Sequence, residues 1–262
     1  MDSSFNTRIP HDILISIIDE LAFQGCFESL RACSRTCRML LHQCYTHLFS
    51  TITIIHNNAT QFAALLHQNP KIQGYVREIY YEPSISSEVL AKAFLLLSSV
   101  KTLSLQGRCG ASATLCSKWC SLPPHMQHAL GHLFGSPSVT HIRIYHFTNV
   151  PAILLSSCSN LRHLDINRST SFTSKACNTP LLAPPKPLSL NIAKALGPAM
   201  KKLLIGRRAD GLPMLDLSSL QSLTTTIRMM HESADDRHLG QILRSTPKLE
   251  HLDITGIVVL FS

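Results

Sequence analysis

Most of this chain is organised by a short apolar pattern. An apolar residue is followed three positions later by a second one, and two positions after that by a third. The copies are Phe49/Ile52/Ile54, Val76/Ile79/Tyr81, Val100/Leu103/Leu105, Val139/Ile142/Ile144, Leu161/Leu164/Ile166, Met200/Leu203/Ile205 and Leu249/Leu252/Ile254, with a broken copy at Leu220/Leu223/Thr225. Because apolar residues make up 45% of the chain, the triplet alone also arises by chance, and its context decides its meaning.

Most copies follow a helix-like apolar stretch that ends at a Ser, Pro or Gly junction, as in residues 95–100, 133–139 and 242–249. Ser and Pro end the helix, and the alternation after them favours a strand. A right-handed succession of such units stacks parallel strands on one face and helices on the other. The pattern resembles a degenerate leucine-rich repeat. We therefore expect an α/β fold in which residues 51–262 form an irregular, leucine-rich-repeat-like solenoid. A single α/β domain that alternates helix and strand is the alternative.

Two segments depart from the repeat pattern. Residues 179–187 hold four prolines in nine residues, which predicts an extended surface loop rather than a strand. The sequence stops straight after a predicted strand, whereas a solenoid normally ends in a polar capping unit. We expect either a truncated repeat domain or an irregular cap.

The first fifty residues read as a separate helical domain, residues 1–50. From Ile13 to Leu21 the apolar residues fall at helical spacing, Pro10 suits a first helical turn, and Gly25 ends the segment. A short second helix fits residues 28–33, and a third helix fits residues 35–48. Three helices this short make a marginal core, so such a unit usually packs against a neighbour or a partner.

Three stretches of this unit resemble an F-box of the divergent fungal type: RIPHDIL at 8–14, IIDEL at 17–21 and SLRACSRTCR at 29–38. That family opens with Leu-Pro-x-Asp/Glu-Ile-Leu; here Ile9 replaces the first Leu, and Met39–Leu40 stand where many members carry Trp. The resemblance implies docking onto the Skp-type adaptor of a cullin–RING ubiquitin ligase. The residues that it implies for this contact are Ile9, Pro10, Ile13, Leu14, Ile17, Leu21, Leu30 and Cys33. An ordinary three-helix cap on a larger domain is the alternative.

Catalytic and cofactor motifs are absent from the sequence. It contains no P-loop, dinucleotide-binding glycine motif, nucleophile elbow or His-Glu-x-x-His. Cys116, Cys120, His128 and His132 are zinc-type residues, but the interval between the two pairs is short and a Pro-Pro dipeptide interrupts it. We expect no catalytic residue, no metal and no cofactor, and we place a hydrolase or transferase last among the function classes.

Charge and cysteine content bear on partners and compartment. Lys and Arg number 24 against 16 Asp and Glu, a net charge of +8, but they are scattered, so a nucleic-acid partner does not follow. Nine cysteines in irregular spacing form no disulfide framework, and the amino terminus lacks a signal-peptide pattern. No apolar run is long enough to span a membrane. We expect an intracellular protein, in the cytoplasm, the nucleus or both.

These patterns predict a non-catalytic substrate receptor. The helical unit binds the adaptor and, through it, a cullin, while the repeat region binds a target protein that the sequence does not identify. Residues that alternate with buried strand positions should face outward and are the expected target contacts: Arg143, Tyr145, Arg162, His163, Asn167, His251 and Asp253. The alternative is a leucine-rich-repeat-like interaction scaffold with no ubiquitin-ligase role.

Overall fold

The computed structural model describes residues 9–55, 58–83, 87–108, 117–166, 170–173, 183–192, 203–204, 206–208, 210–229 and 234–258. Three helices come first: α1 (His11–Phe23), α2 (Phe27–Ser34) and α3 (Arg38–Leu48). α1 begins directly after Pro10, and Gly25, with a φ of +70°, makes the turn towards α2. A small core of Ile18, Leu30 and Cys44 holds the three helices together.

Twelve strands follow in the described part of the chain: β1 (Thr51–Ile54), β2 (Glu78–Tyr81), β3 (Thr102–Gln106), β4 (Ser117–Lys118), β5 (His141–Tyr145), β6 (Phe147–Thr148), β7 (Val150–Pro151), β8 (His163–Ile166), β9 (Phe172–Thr173), β10 (Ser189–Ile192), β11 (Ser222–Met229) and β12 (His251–Val258). Eight of them form one sheet in the order β1-β2-β3-β5-β8-β10-β11-β12. Every neighbouring pair in this sheet is parallel. The short strands pair separately, β4 with β6 and β7 with β9. The predicted α/β class with a parallel sheet is confirmed.

Successive strands of the sheet are joined at their amino-terminal edge by a repeated hydrogen-bond arrangement. The carbonyl oxygen just before one strand accepts N–H groups from two consecutive residues at the start of the next. Arg77 O, for example, accepts from Lys101 N at 2.7 Å and from Thr102 N at 3.0 Å. The acceptors form a row, one for each strand of the sheet except the last: Ser50, Arg77, Lys101, Thr140, Arg162, Leu188 and Gln221. Neighbouring strands therefore start at the same level.

Helices cover one face of the sheet. They are α4 (Ala59–Gln68), α5 (Glu88–Leu95), α6 (Pro124–Phe134), α7 (Ile153–Ser156) and α8 (Ala234–Arg244), with short 3-10 helices at Pro70–Gly74, Trp119–Ser121 and Leu217–Ser219. α4 to α7 pack side by side in chain order. Local signals fix their starts: Ser87 Oγ accepts from Leu90 N at 3.1 Å at the beginning of α5, and Pro124 occupies the first turn of α6. Their apolar faces and the inward strand residues form one continuous core.

Gly107 permits a close approach between the carboxyl ends of β3 and β5. Its N–H donates to Tyr145 O at 2.8 Å, and a Cβ at this position would lie 2.1 Å from His146 O. His146 itself has a φ of 54°, which is uncommon for a residue other than glycine. Any side chain at position 107 would therefore push these two strand ends apart.

The sixth place in the sheet is filled by residues that the apolar pattern does not identify. The pattern predicts a strand around Leu203, but Leu203 and its neighbour are helical, and residues 200 and 205 lie outside the described residues. The strand at this place is β10, whose Leu190 and Ile192 enter the core. Pro187 stands where the pattern requires an apolar residue. It is buried, as is Pro185, so the expectation of a surface loop over 179–187 is wrong for these two prolines.

Candidate protein-interaction surfaces

The outer side of α1 is apolar and uncovered. Ile13 and Ile17, four residues apart, lie on one side of α1 and are 48% and 46% exposed. Ile9, which precedes the first residue of the helix by two positions, is 56% exposed. Ile18, by contrast, is 1% exposed within the small core of the helical unit. Clustered apolar side chains in solvent mark interaction sites, whereas isolated ones do not. We call these three isoleucines the α1 face.

The other predicted adaptor contacts divide between surface and interior. Pro10 is exposed, and Leu14, Leu21 and Cys33 are half-buried. Leu30 is wholly buried in the core of the helical unit. A direct contact between Leu30 and an adaptor is therefore corrected: this side chain holds α2 against the other two helices instead.

Three more large apolar side chains of the helical unit are exposed although the sequence did not predict them as contacts: Phe23, Phe27 and Met39. Phe23 ends α1 and Phe27 begins α2, so these two residues flank the turn at Gly25. A pair of aromatic residues around a helix-ending glycine was the available signal. Two residues do not form a periodic pattern. The sequence therefore predicts the apolar stripe of α1 but not this aromatic pair.

Asp19 links α1 to α3 through two side-chain hydrogen bonds. Gln43 Nε2 and His47 Nε2, both on α3, donate to Asp19 Oδ1 at 2.8 Å. The hydrogen bond from His47, together with that from Gln43, lowers the pKa of Asp19. The carboxylate is thereby kept charged. These two hydrogen bonds, in addition to the small core, hold α1 in its orientation against α3.

An aromatic contact attaches α3 to the sheet region. The hydroxyl of Tyr75, just before β2, lies 2.6 Å from His42 Nδ1, and its ring centroid lies 6.3 Å from that of Tyr45. Tyr45 also packs edge-on against Phe49, at 5.1 Å between centroids, and Phe49 packs against the main core. The helical unit is therefore held against the start of the sheet rather than connected by chain alone.

The sheet face opposite the helices carries linked polar side chains. Arg143 on β5 donates from Nη1 to Glu78 Oε1 and to the hydroxyl oxygen of Tyr80, both on β2 and both at 2.9 Å. Tyr145 donates to Asp165 Oδ2 on β8 at 2.7 Å. Burial raises the pKa of Tyr145, and its bond to Asp165 adds to the rise. We call these five residues the polar sheet face.

A small residue on β3 allows Arg143 to reach β2. The strand register pairs Ser104 with Tyr80 on one side and with Arg143 on the other, so the guanidinium crosses over the serine. Ser104 is wholly buried, and its hydroxyl has no hydrogen-bond partner among the described residues. Buried hydroxyls are usually paired, and the hydroxyl of Ser104 is an exception among the described residues.

Two histidine rings stack beside the polar sheet face. His141 begins β5 and His163 begins β8; their ring centroids are 4.1 Å apart and their planes differ by 15°. Burial lowers the pKa of both rings. Positive charge adds to this, from His163 and Arg143 on His141 and from Arg162 on His163. The arrangement therefore favours the neutral form of both side chains.

The predicted target contacts fall into two groups. One group lies together on and just before β5 and β8: Arg143, Tyr145, Arg162 and His163. The other, His251 and Asp253, is exposed on β12, three strand spacings or about 14 Å from β8. Asn167 lies outside the described residues.

Four neighbours of the first group were not predicted: Glu78, Tyr80, His141 and Asp165. Each alternates with a buried residue of its strand, which is the same signal that identified Arg143 and its companions. Only the register between strands shows that they meet.

Three of the four zinc-type residues can be placed. Cys120, His128 and His132 are exposed, and Cys116 lies outside the described residues. Across the ranges given above, no group of three or more His, Cys, Asp or Glu is placed to hold a metal ion, and the cysteines of those ranges are free. In the same ranges, none of the helices combines the length and apolar character needed to cross a membrane.

Two comparisons with known proteins bear on this chain. No protein-family model matches it, and no curated protein matches it either. The residues and surfaces described above are therefore what bears on its function.

Proposed function

We propose that this protein is the non-catalytic substrate receptor of a Skp–cullin–F-box-type ubiquitin ligase. Residues 1–50 act as an F-box-like unit that binds a Skp-type adaptor and, through it, a cullin. Residues 51–262 act as an irregular leucine-rich-repeat-like region that binds a target protein. Ubiquitin transfer then depends on holding the target close, not on chemistry of this chain.

The α1 face carries this proposal. Its three isoleucines lie within the segment that resembles the F-box, and each is about half exposed. Full burial of an isoleucine contributes about 1.5–3 kcal/mol, so covering the remaining half of three side chains contributes about 3 kcal/mol. A micromolar contact needs about 8 kcal/mol. The α1 face therefore supplies a central part of such a contact, and flanking residues such as Pro10 and Leu14 supply more.

The attachment of α3 to the sheet supports a receptor role. A receptor must present its target at a defined distance from the rest of the ligase, because proximity is its whole contribution. The contacts of Tyr75 with His42 and Tyr45 fix the helical unit against the sheet. A bound adaptor and a bound target would then keep a constant relative position.

The recurring strand junctions support the leucine-rich-repeat-like part. The same two-donor contact repeats along the sheet from β1 to β12, and the helices and strands share one continuous core. This is how stacked repeats are held together. The polar sheet face includes Tyr80, Arg143 and Tyr145, and Tyr and Arg are residue types that are enriched in interfaces.

Adaptor binding by purified proteins tests the proposal. We expect a Skp-type adaptor to retain the parent chain in a pull-down and to lose the Ile13→Asp/Leu14→Asp variant. Val89→Asp is the matched control, because Val89 on α5 is 56% exposed and lies outside the helical unit; this variant should bind like the parent. No binding by the parent chain would contradict the proposal and favour the plain scaffold. Equal loss in Val89→Asp would show that the effect is not specific to α1.

A further inference from the structure

Three cations lie in a line along the amino-terminal edge of the sheet. Arg77, Lys101 and Arg162 occupy the position just before β2, β3 and β8, and the row of carbonyl acceptors holds their backbones at the same level. Strands of a sheet lie about 4.8 Å apart, so Arg77 and Lys101 are neighbours and Arg162 lies about 10 Å further along. All three residues are exposed. We call them the basic rim.

The charge of the basic rim is not neutralised by the described residues around it. Arg77 donates to a backbone carbonyl, and neither Lys101 nor Arg162 forms an ion pair within the part of the chain that the structure describes. The nearest carboxylate in sequence, Glu78, is engaged by Arg143 on the polar sheet face. Within the described ranges, the rim therefore carries positive charge that no carboxylate pairs with.

The positive charge of the basic rim lowers the pKa of the two stacked histidines. After burial, the positive charge of Arg162 is the cause that lowers the pKa of His163, and Arg162 acts on His141 in the same direction. Glu78 opposes the effect on His141. The pKa of His163 should therefore rise when a negatively charged ligand offsets the charge of Arg162.

A cavity of about 690 Å³ opens beside Arg162. The residues that line it precede β8 and β10 or lie near Leu217–Ser219, and they include Ser159, Asn160, Arg162, Lys186, Leu188 and Ser219. Lys186 pairs with Asp216 at 3.4 Å, whereas Arg162 forms no ion pair with any residue that the structure describes. The line of charges therefore ends in a recess large enough for a side chain.

We propose that the basic rim binds an extended, Asp/Glu-rich segment of a target polypeptide, which runs across the strands from β2 to β8. The backbones of the three residues span about 14 Å, a length that four or five extended residues cover. Carboxylates of the segment meet the cations, and one of its side chains enters the recess beside Arg162. The inference rests on the proposed function only in that the bound protein is the ligase target; the contact itself does not require the adaptor.

Binding of a labelled oligoglutamate of about eight residues to the full chain, followed by fluorescence anisotropy at low ionic strength, tests the inference. Lys101→Gln and Arg162→Gln should each weaken binding about threefold to fivefold, and together about tenfold or more. Lys92→Gln is the matched control, since Lys92 is an exposed cation on α5 that pairs with Glu88. No binding to the parent chain, or an equal loss in Lys92→Gln, would overturn the inference.

Imidazole NMR of His163 locates the bound peptide. Saturating oligoglutamate should raise the pKa of His163, because its carboxylates offset the charge of Arg162. An unchanged pKa at saturation would overturn the inference, and so would tighter binding of an oligothymidylate than of oligoglutamate, which would indicate a nucleic-acid partner. Either failure leaves adaptor binding by the α1 face untouched, since the pull-down measures that separately.

Discussion

Replacing Ile18 with Ala should destabilise the helical unit far more than replacing Ile13 with Ala. Ile18 packs against Leu30 and Cys44 and is 1% exposed, whereas Ile13 is 48% exposed on the α1 face. Both substitutions remove the same three carbons from the same helix, and both gain the same helix propensity. The comparison therefore isolates burial.

Burial also sets the size of the difference. Truncating a buried isoleucine to alanine costs about 2–5 kcal/mol, and the small core of this unit places Ile18→Ala near about 2–3 kcal/mol. For Ile13, three carbons at about 0.8 kcal/mol each, of which half are buried, give about 1 kcal/mol. The better helix propensity of Ala offsets part of it. That gain is the same in both variants, so we expect Ile18→Ala to cost about 1–2 kcal/mol more than Ile13→Ala.

The assay must follow the helical unit itself. Trp119, the sole tryptophan, lies in the sheet region against Phe134 and Phe147, so its fluorescence reports that region. Native-state amide hydrogen exchange over α1 measures the local free energy of opening. A cost for Ile13→Ala as large as that for Ile18→Ala would refute the outward orientation of the α1 face.

Three further predictions concern the sheet region and are tested by urea unfolding. Gly107→Ala should cost about 2 kcal/mol or more, because its Cβ meets a backbone oxygen, whereas Gly74→Ala has open space and should cost less than about 1 kcal/mol; equal costs contradict the close approach. The lowered pKa of His141 and His163 means that the unfolded chain binds protons first as pH falls below the ordinary histidine value of 6.5. Stability should decline from there until the folded-state pKa is passed, and the double His→Gln variant should lack this decline. Arg143→Met should cost about 1 kcal/mol through a half-exposed ion pair and a hydrogen bond; an unchanged midpoint contradicts the bridge.

The strands were predictable where the apolar pattern follows a helix. Copies at Ile52, Ile79 and Leu103 match β1, β2 and β3, because an inward residue at every second position is what a strand over a helical layer requires. The apolar pattern does not predict β10, because Pro187 occupies the position of its first apolar residue. A proline just before a strand can fill the core as an aliphatic residue does. Its missing N–H costs nothing at this position, because the hydrogen bonds of the strand begin after it.

The surfaces were predictable only in part. Alternation indicates that Arg143 points away from the core, but not that it reaches Glu78, which precedes it by 65 residues. That meeting depends on the lengths of the intervening segments, which set the register. The apolar stripe of α1 is wider than the small core of the helical unit. The packing of α1 against α2 and α3 therefore determines that Ile18 is buried and Ile13 is exposed, and the sequence pattern does not.

Amide hydrogen exchange with a saturating Skp-type adaptor locates the docking surface. We expect slower exchange over α1, His11–Phe23, when the adaptor is bound, and no change over β5 and β8. The reason is that an adaptor covering the α1 face must suppress the local opening of that helix. Unchanged exchange over α1, or protection of the polar sheet face instead, would contradict a receptor that docks through its first helix.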